Sequence, residues 1–314
     1  MTNNFSDVAA NAKMMIIFGA NTAVANPIGF KHILQAKDRN GAKLIVVDPV
    51  YTKSAVHADE YVRIRPGTDI AFVYGMLHLI FKNGWEDKEL IDKRTYGVDK
   101  IREEAAKWTP EEVENVTGVP AEQLVRITQM YASVKPATLF WSLGITQHSV
   151  GSSNTRILAI LQLVLGNMGK KGGGTNIIRG HDNVQGATDM GCLADTLPAY
   201  YGLDDGAWNH FTKFWGVDRE YMNSRFFEKK WMHEKGFSLA KWWQGVLQEE
   251  KTHSNAPVRV VWVQGTGITS MAHTTKIQEA LKKLDMIVIA EPFVNEIAVL
   301  ADRPDGIYIL PATT

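Results

Sequence analysis

"MMIIFGANTAVANPIGFKHILQAKDRNGAKLIVVDP", residues 14–49, holds the decision about the fold. Met14 to Phe18 is an unbroken apolar run ended by Gly19 and Asn21, the pattern of a strand covered on both faces. Phe30, Ile33, Leu34 and Lys37 then recur at helical spacing, and Gly41 stands where a helix C-cap is expected. "KLIVVDP" (43–49) repeats the first pattern and stops at Asp48 and Pro49. A strand, a helix and a second strand with no hairpin turn between them predict parallel strands joined by a crossover.

The same alternation continues outward. "TDIAFVYGMLHLIFKNG" (68–84) predicts a helix begun by Thr68 or Asp69 and ended by Gly84. Residues 109–133 predict two short helices around Gly118, Val119 and Pro120, the first opened by a capping box from Thr109 to Glu112. "ATLFWSLG" (137–144) is a strand and "NTRILAILQLVLGN" (154–167) a strongly apolar helix. "VRVVWVQG" (258–265), a helix over 273–284 and "MIVIAEP" (286–292) resume the pattern. The expected fold is α/β, two doubly wound and mainly parallel domains over 1–157 and 158–314, the second incomplete. An aromatic-rich insertion falls at about 200–250; its Trp and Phe residues are expected to anchor packing over a sheet or against a partner subunit.

Composition narrows the function. Lys+Arg and Asp+Glu are equal at 34 each, which argues against a nucleic-acid surface held by bulk charge. No apolar run is long enough to span a membrane. A single cysteine, Cys192, excludes an internal disulfide and a Cys-only metal or cluster site within these residues.

Open α/β sheets bind ligands beyond the carboxyl ends of their strands. The segments that follow the expected strands are rich in Gly, Asn, Ser and Thr, which offer donors to phosphate oxygens. "GKKGGGTN" (169–176) has the look of a phosphate loop without matching its spacing, and no GxGxxG opens the chain. Asp48, directly after a strand, is placed to accept from ribose hydroxyls. Asp69 has two readings, a helix N-cap or a carboxylate taking the N1–H and N2–H of guanine. Arg156 enters an apolar helix and needs an anion, either an internal carboxylate or a planar carboxylate ligand gripped by two hydrogen bonds. His148 lies in the segment just before it. "RGHDNVQGATDMG" (179–191) is a polar stretch with almost nothing to fill a core, the composition of a binding loop.

Taken together, "MGKKGGGTNIIRGHDNVQGATDMG", "FGANTAVANPIGFKHILQAKDRNGAKLIVVDP", "YVRIRPGTD" and "GITQHSVGSSNTR" resemble the catalytic α subunit of formate dehydrogenases. These are molybdopterin oxidoreductases that carry Mo or W on two molybdopterin guanine dinucleotides. The resemblance runs over essentially the whole chain, with "ILPA" (309–312) a weaker sign near its end. It implies two-electron oxidation of formate to carbon dioxide, or the reverse, with electrons leaving through the pterin and a 4Fe–4S cluster. Arg156 would orient the formate carboxylate, and His148 would lie near the substrate. Asn21, Asp48 and Asp69 would surround one guanine nucleotide arm, Gly265 and Thr266 the other, and Gly180, Asn183, Gln185 and Gly186 would line the cofactor floor. "GTGI" (265–268) departs from the family's Gly-x-Asn/Asp-Pro pattern, which puts contacts at 266–268 in question.

The resemblance also places an iron–sulfur domain and a Cys or selenocysteine metal ligand before the matched stretch, and a β-rich domain after it. On that reading the chain is an internal fragment, inactive by itself; a selenocysteine codon read as a stop, with a downstream Met taken as the start, would produce one. The implied partners are an iron–sulfur electron-transfer subunit and a membrane cytochrome subunit. A twin-arginine signal carried by many relatives points to the periplasm, with a cytoplasmic location as the other option. Two competing readings are a cofactor-less structural relative in a respiratory complex and an NAD(P)-binding α/β enzyme.

Overall fold

The apolar run that opened the sequence is β1 (Met14–Phe18), and every residue of it is buried. The computed structural model describes residues 3–180, 183–226, 228–248, 257–267, 271, 273–294, 296–297, 303 and 305–313. β1 lies at the centre of a five-stranded sheet in the order β3-β2-β1-β4-β5, with β2 at Lys43–Val47, β3 at Glu60–Val62, β4 at Ala137–Trp141 and β5 at Thr175–Ile177. All of its pairings are parallel.

Alternation along β1 explains its composition. Met14, Ile16 and Phe18 enter a core with Phe72, Met76, Leu124, Tyr131 and Leu161, drawn from helices Asp69–Asn83, Ala121–Ser133 and Gly151–Val164. Met15 and Ile17 enter the core on the other face with Val8, Phe30 and Ile33, from helices Phe5–Asn11 and Pro27–Asn40. A strand covered on both sides must be apolar throughout. Each such side chain contributes on the order of 1.5–3 kcal/mol.

Helix boundaries follow local chemistry. Gly41 and Gly84 close their helices in the left-handed conformation, as expected. Thr109 Oγ1 accepts from the Glu112 amide at the start of helix Pro110–Thr117. The outer strands β3 and β5 and the helices Phe5–Asn11, Lys88–Arg94 and Val98–Ala105 were not legible as elements; they are short, and none carries a long apolar period. Short edge strands are also a common way to blunt a sheet's exposed hydrogen-bonding rows.

The chain divides into compact units at Met1–Val184 and Gln185–Thr314. The expected boundary after 157 falls within helix Gly151–Val164, whose Ile157, Leu158 and Leu161 pack in the core of the first unit. A helix with a continuous core-facing row cannot be shared in that way, so the division lies later. The second unit holds a parallel sheet in the order β6-β7-β8, with β6 at Val260–Gln264, β7 at Met286–Glu291 and β8 at Ile307–Pro311. Helix Thr274–Lys283 packs Ile277, Ala280 and Leu281 into that unit's core. Within the aromatic segment, Trp208, Phe211 and Met232 build a small core of their own, with Phe226 against it. Trp243 joins the core beneath β6 and β7, whereas Phe214 stays 76% exposed. Phe227 lies outside the described residues.

Candidate cofactor site at the strand tips

Register brings the site together. Phe18 lies opposite Val47 and Trp141, Val47 opposite Val62, and Trp141 opposite Ile177. The strands of the first unit therefore end level, and the segments that follow them leave from one edge. The chain steps outward from β1 through β2 to β3, then returns to β4 on the other side of β1. That reversal creates the crevice where ligands of such sheets bind. Two glycines set its floor. Gly144 N donates to Gly19 O at 3.1 Å. A Cβ on Gly144 would lie 2.5 Å from Gly19 O, and one on Gly19, at φ +53, would lie 2.8 Å from Gly144 Cα. Only backbone fits there.

Asn21 opens the one-turn helix Thr22–Ala25 after β1. Ser54 Oγ donates to Asn21 Oδ1 at 3.2 Å and accepts from Ala23 N at 2.9 Å. This fixes the carboxamide and leaves its Nδ2 as a donor. Thr22, fully buried, has no partner for Oγ1 among the described residues. Asp48 is 8% exposed, and its Oδ1 accepts from Val50 N at 2.9 Å. No cation pairs with it among the described residues, and burial raises its carboxyl above the ordinary carboxylate value against that one hydrogen bond.

Asp69 settles one of the open alternatives. The N-cap of helix Asp69–Asn83 is Thr68, whose Oγ1 donates to Arg65 O instead of capping. Asp69 is the first helical residue, 8% exposed, and burial raises its carboxyl despite its own amide and the nearby charge of His148. His148 is thus within electrostatic reach of Asp69, and its Nε2 is 2.8 Å from Gly144 O. No hydrogen bond joins it to Arg156 among the described residues.

Arg156 stands in the second turn of helix Gly151–Val164 and is exposed. The expectation of a guanidinium buried in an apolar helix is corrected: the apolar residues turn inward while Arg156 faces solvent. It forms no ion pair or hydrogen bond among the described residues, so the internal salt bridge weighed from sequence is not seen. Gly180 is exposed beside Leu143 of the segment after β4, whose Cδ1 would be 3.8 Å from an added Cβ. Asn183 is exposed with φ 50, and the stretch read as a loop contains helix Val184–Asp189, which carries Gln185 and Gly186 half-buried. His181 and Asp182 lie outside the described residues.

The phosphate-loop look of 169–176 is not supported. That segment leads into β5 at its amino end, the edge opposite the tips. Gly172 N donates to Asp7 Oδ2 at 2.8 Å, Gly173 N to Lys170 O at 3.0 Å and Gly174 N to Asn167 O at 2.9 Å. The protein itself consumes those amides.

In the second unit Gly265 is exposed at φ +63 just past β6, with open space where its Cβ would be. Thr266 N donates to Glu291 Oε1 at 3.0 Å. Glu291 ends β7 and was missed from sequence, although an acid at the carboxyl end of a strand is close to the signal that singled out Asp48. A cleft of about 410 Å³ runs along β6, lined by Phe237, Trp242, Val258, Trp262, Gln264 and Thr266. Two aromatic-segment residues thus face the same cleft as Thr266. Ile268 lies outside the described residues. Among the described residues no group of three or more His, Cys, Asp or Glu gathers to hold a metal, and no helix is long and apolar enough to cross a membrane.

Level strand tips, a backbone-only contact between Gly19 and Gly144 and two buried carboxylates mark the first unit as a doubly wound α/β fold with its crevice at the carboxyl ends of the strands. The chain belongs to the molybdopterin oxidoreductase family, whose model matches residues 1–314. It is 33% identical to the F420-dependent formate dehydrogenase subunit alpha of Methanocaldococcus jannaschii over 99% of this chain and 42% of that protein. It is also 33% identical to formate dehydrogenase H of Escherichia coli, over 100% of this chain and 41% of that protein. The chain therefore spans about two fifths of the length of these relatives. Among solved structures, acetylene hydratase from Pelobacter acetylenicus matches with a TM-score of 0.68 at 21% identity, over 98% of this chain and 43% of that one. That likeness bears on the fold alone.

Proposed function

We propose that residues 1–314 are the cofactor-cradling part of a formate dehydrogenase catalytic subunit, acting on formate or carbon dioxide at a Mo or W centre held by two molybdopterin guanine dinucleotides. The observation that carries this reading is a set of unmatched charges at one sheet edge: Asp48 and Asp69 buried with no bonded cation, and Arg156 with no bonded anion, among the described residues. The donor set fits the group. Asp69 would accept from N1–H and N2–H of guanine, Asp48 from ribose hydroxyls, and Asn21 would donate through Nδ2. Gly265 and Thr266 would hold the second nucleotide arm, and Gly180, Asn183, Gln185 and Gly186 the pterin.

The bound metal centre would supply the two-electron acceptor. The protein's share is geometry and field. Arg156 offers two parallel N–H donors to the formate oxygens, which fixes the direction of the C–H bond and neutralises the substrate's charge. His148, within electrostatic reach of Asp69, belongs on this reading to the nucleotide side of the crevice. Electrons would pass to a 4Fe–4S cluster and an iron–sulfur partner subunit.

Arg156→Lys is the test, made in the polypeptide with the flanking segments its relatives carry. A lysine point charge cannot hold both oxygens, so formate KM should rise and kcat fall, together costing roughly 10–100-fold in kcat/KM. Unchanged kinetics would remove Arg156 from the site. Release of guanine nucleotide and metal on denaturation separates this reading from a cofactor-less relative.

A further inference from the structure

We propose that Asn154 is a positioning residue that ties the segment carrying His148 to the helix carrying Arg156. His148 and Arg156 have no bond to one another, yet both depend on the connection between β4 and helix Gly151–Val164. That connection is braced locally, with Ile145 N donating to Ser142 O at 3.1 Å and Gln147 N to Leu143 O at 2.9 Å. It holds the one-turn helix Leu143–Thr146, and beyond it Gly151 N donates to His148 O at 3.0 Å. Gly151 leaves no room for a side chain, since a Cβ there would sit 2.1 Å from Thr146 O.

Asn154 closes the connection from the helix side. It is 2% exposed, and its Nδ2 donates to Ile145 O at 3.0 Å. Ile145 is itself fully buried. The bond therefore sits in a low-dielectric setting where a lost donor leaves a buried carbonyl unsatisfied. On one side of this bond the chain runs through Gly144, which packs on Gly19 and accepts from His148. On the other side, two residues along the same helix, stands Arg156. The carboxamide thus locks the nucleotide-facing segment and the guanidinium into one rigid piece. An arginine meant to grip a planar anion needs that precision, because displacement by about 1 Å can cost on the order of 100-fold in rate.

The inference rests on the formate reading, and its test keeps the two apart. In the polypeptide with its flanking segments, Asn154→Leu preserves volume and removes the donor, and Asn154→Asp preserves shape and places an acceptor against Ile145 O. At least one of the folded variants is expected to raise formate KM tenfold or more and to lose kcat/KM out of proportion to any fall in melting temperature. Amides 143–150 should exchange hydrogen faster. Wild-type kinetics and exchange in every variant that folds, or a lowered melting temperature with kcat/KM intact, would overturn the role of Asn154. Arg156→Lys run in parallel distinguishes the failures. If it too is silent, the formate reading falls; if it is impaired while Asn154 variants are not, only the present inference falls.

Discussion

At the scale of single residues, Asp48 and Asp69 make the strongest statement. A buried carboxylate with no bonded cation costs stability, and natural chains keep one where something else will bind it. Asp69→Asn should therefore improve the ligand-free chain while harming its use. Replacing that carboxylate by a neutral isostere is expected to raise the melting temperature by about 2–4 °C, the equivalent of about 1 kcal/mol in a large domain. Binding of a guanine nucleotide, measured by titration calorimetry, should fall at the same time, since an amide cannot accept from both N1–H and N2–H. A variant that melts higher and binds guanine nucleotide unchanged would remove Asp69 from the site.

At the scale of elements, the decisive contact is between two connections rather than two strands. The segments after β1 and β4 meet backbone to backbone at Gly19 and Gly144. Gly144→Ala would force them apart and is expected to cost about 1–3 kcal/mol, read from urea unfolding. It should also weaken guanine nucleotide binding, because Asn21 and His148 leave from these same segments. Gly84→Ala is the control: its Cβ meets nothing within 4 Å, so only left-handed backbone strain of about 1–2 kcal/mol applies, and nucleotide binding should be untouched. Equal loss of binding in both variants would mean that general destabilisation, not the crevice, is being measured. The segment 169–174 gives the converse lesson. Its glycines serve Asp7, Lys170 and Asn167, and glycine content alone did not make a phosphate loop.

At the scale of the whole molecule, acids of opposite behaviour shape stability against pH. Burial raises Asp48 and Asp69 above the ordinary carboxylate value. Burial pushes Asp59 the same way but is outweighed by Lys37, the Leu44 amide and Lys43, so its carboxyl is lowered; Arg126 lowers Glu60. A raised group binds more protons folded than unfolded, so its share of stability grows as pH falls through its raised value. A lowered group binds fewer, so its share is present above the ordinary carboxylate value and is lost as pH falls through the lowered one. Thermal unfolding of the ligand-free chain should accordingly show a mildly acidic optimum and a steep loss below it. Asp59→Asn should flatten that loss, and an unchanged acid limb in the variant would contradict the assignment.

Much of this was legible in the sequence. Apolar runs at 14–18, 43–47 and 137–141 determine strands covered on both faces, because a residue flanked by two cores has no polar alternative. The motifs around Asn21, Asp69, Arg156 and 179–191 determine the family. Tertiary structure alone decided the rest. Whether Asp69 caps a helix or stays an unneutralised acid depends on Thr68 and on burial, which no local pattern encodes. Whether Arg156 is buried or exposed depends on the helix's rotation against a core assembled from distant segments. Glu291 beside Thr266 matters only once β6 and β7 are brought level, and Asn154 beneath Ile145 only once the connection after β4 folds back on the helix that follows it. Periodicity records what each residue must avoid, water or the core; only the packed chain records which partner it finds.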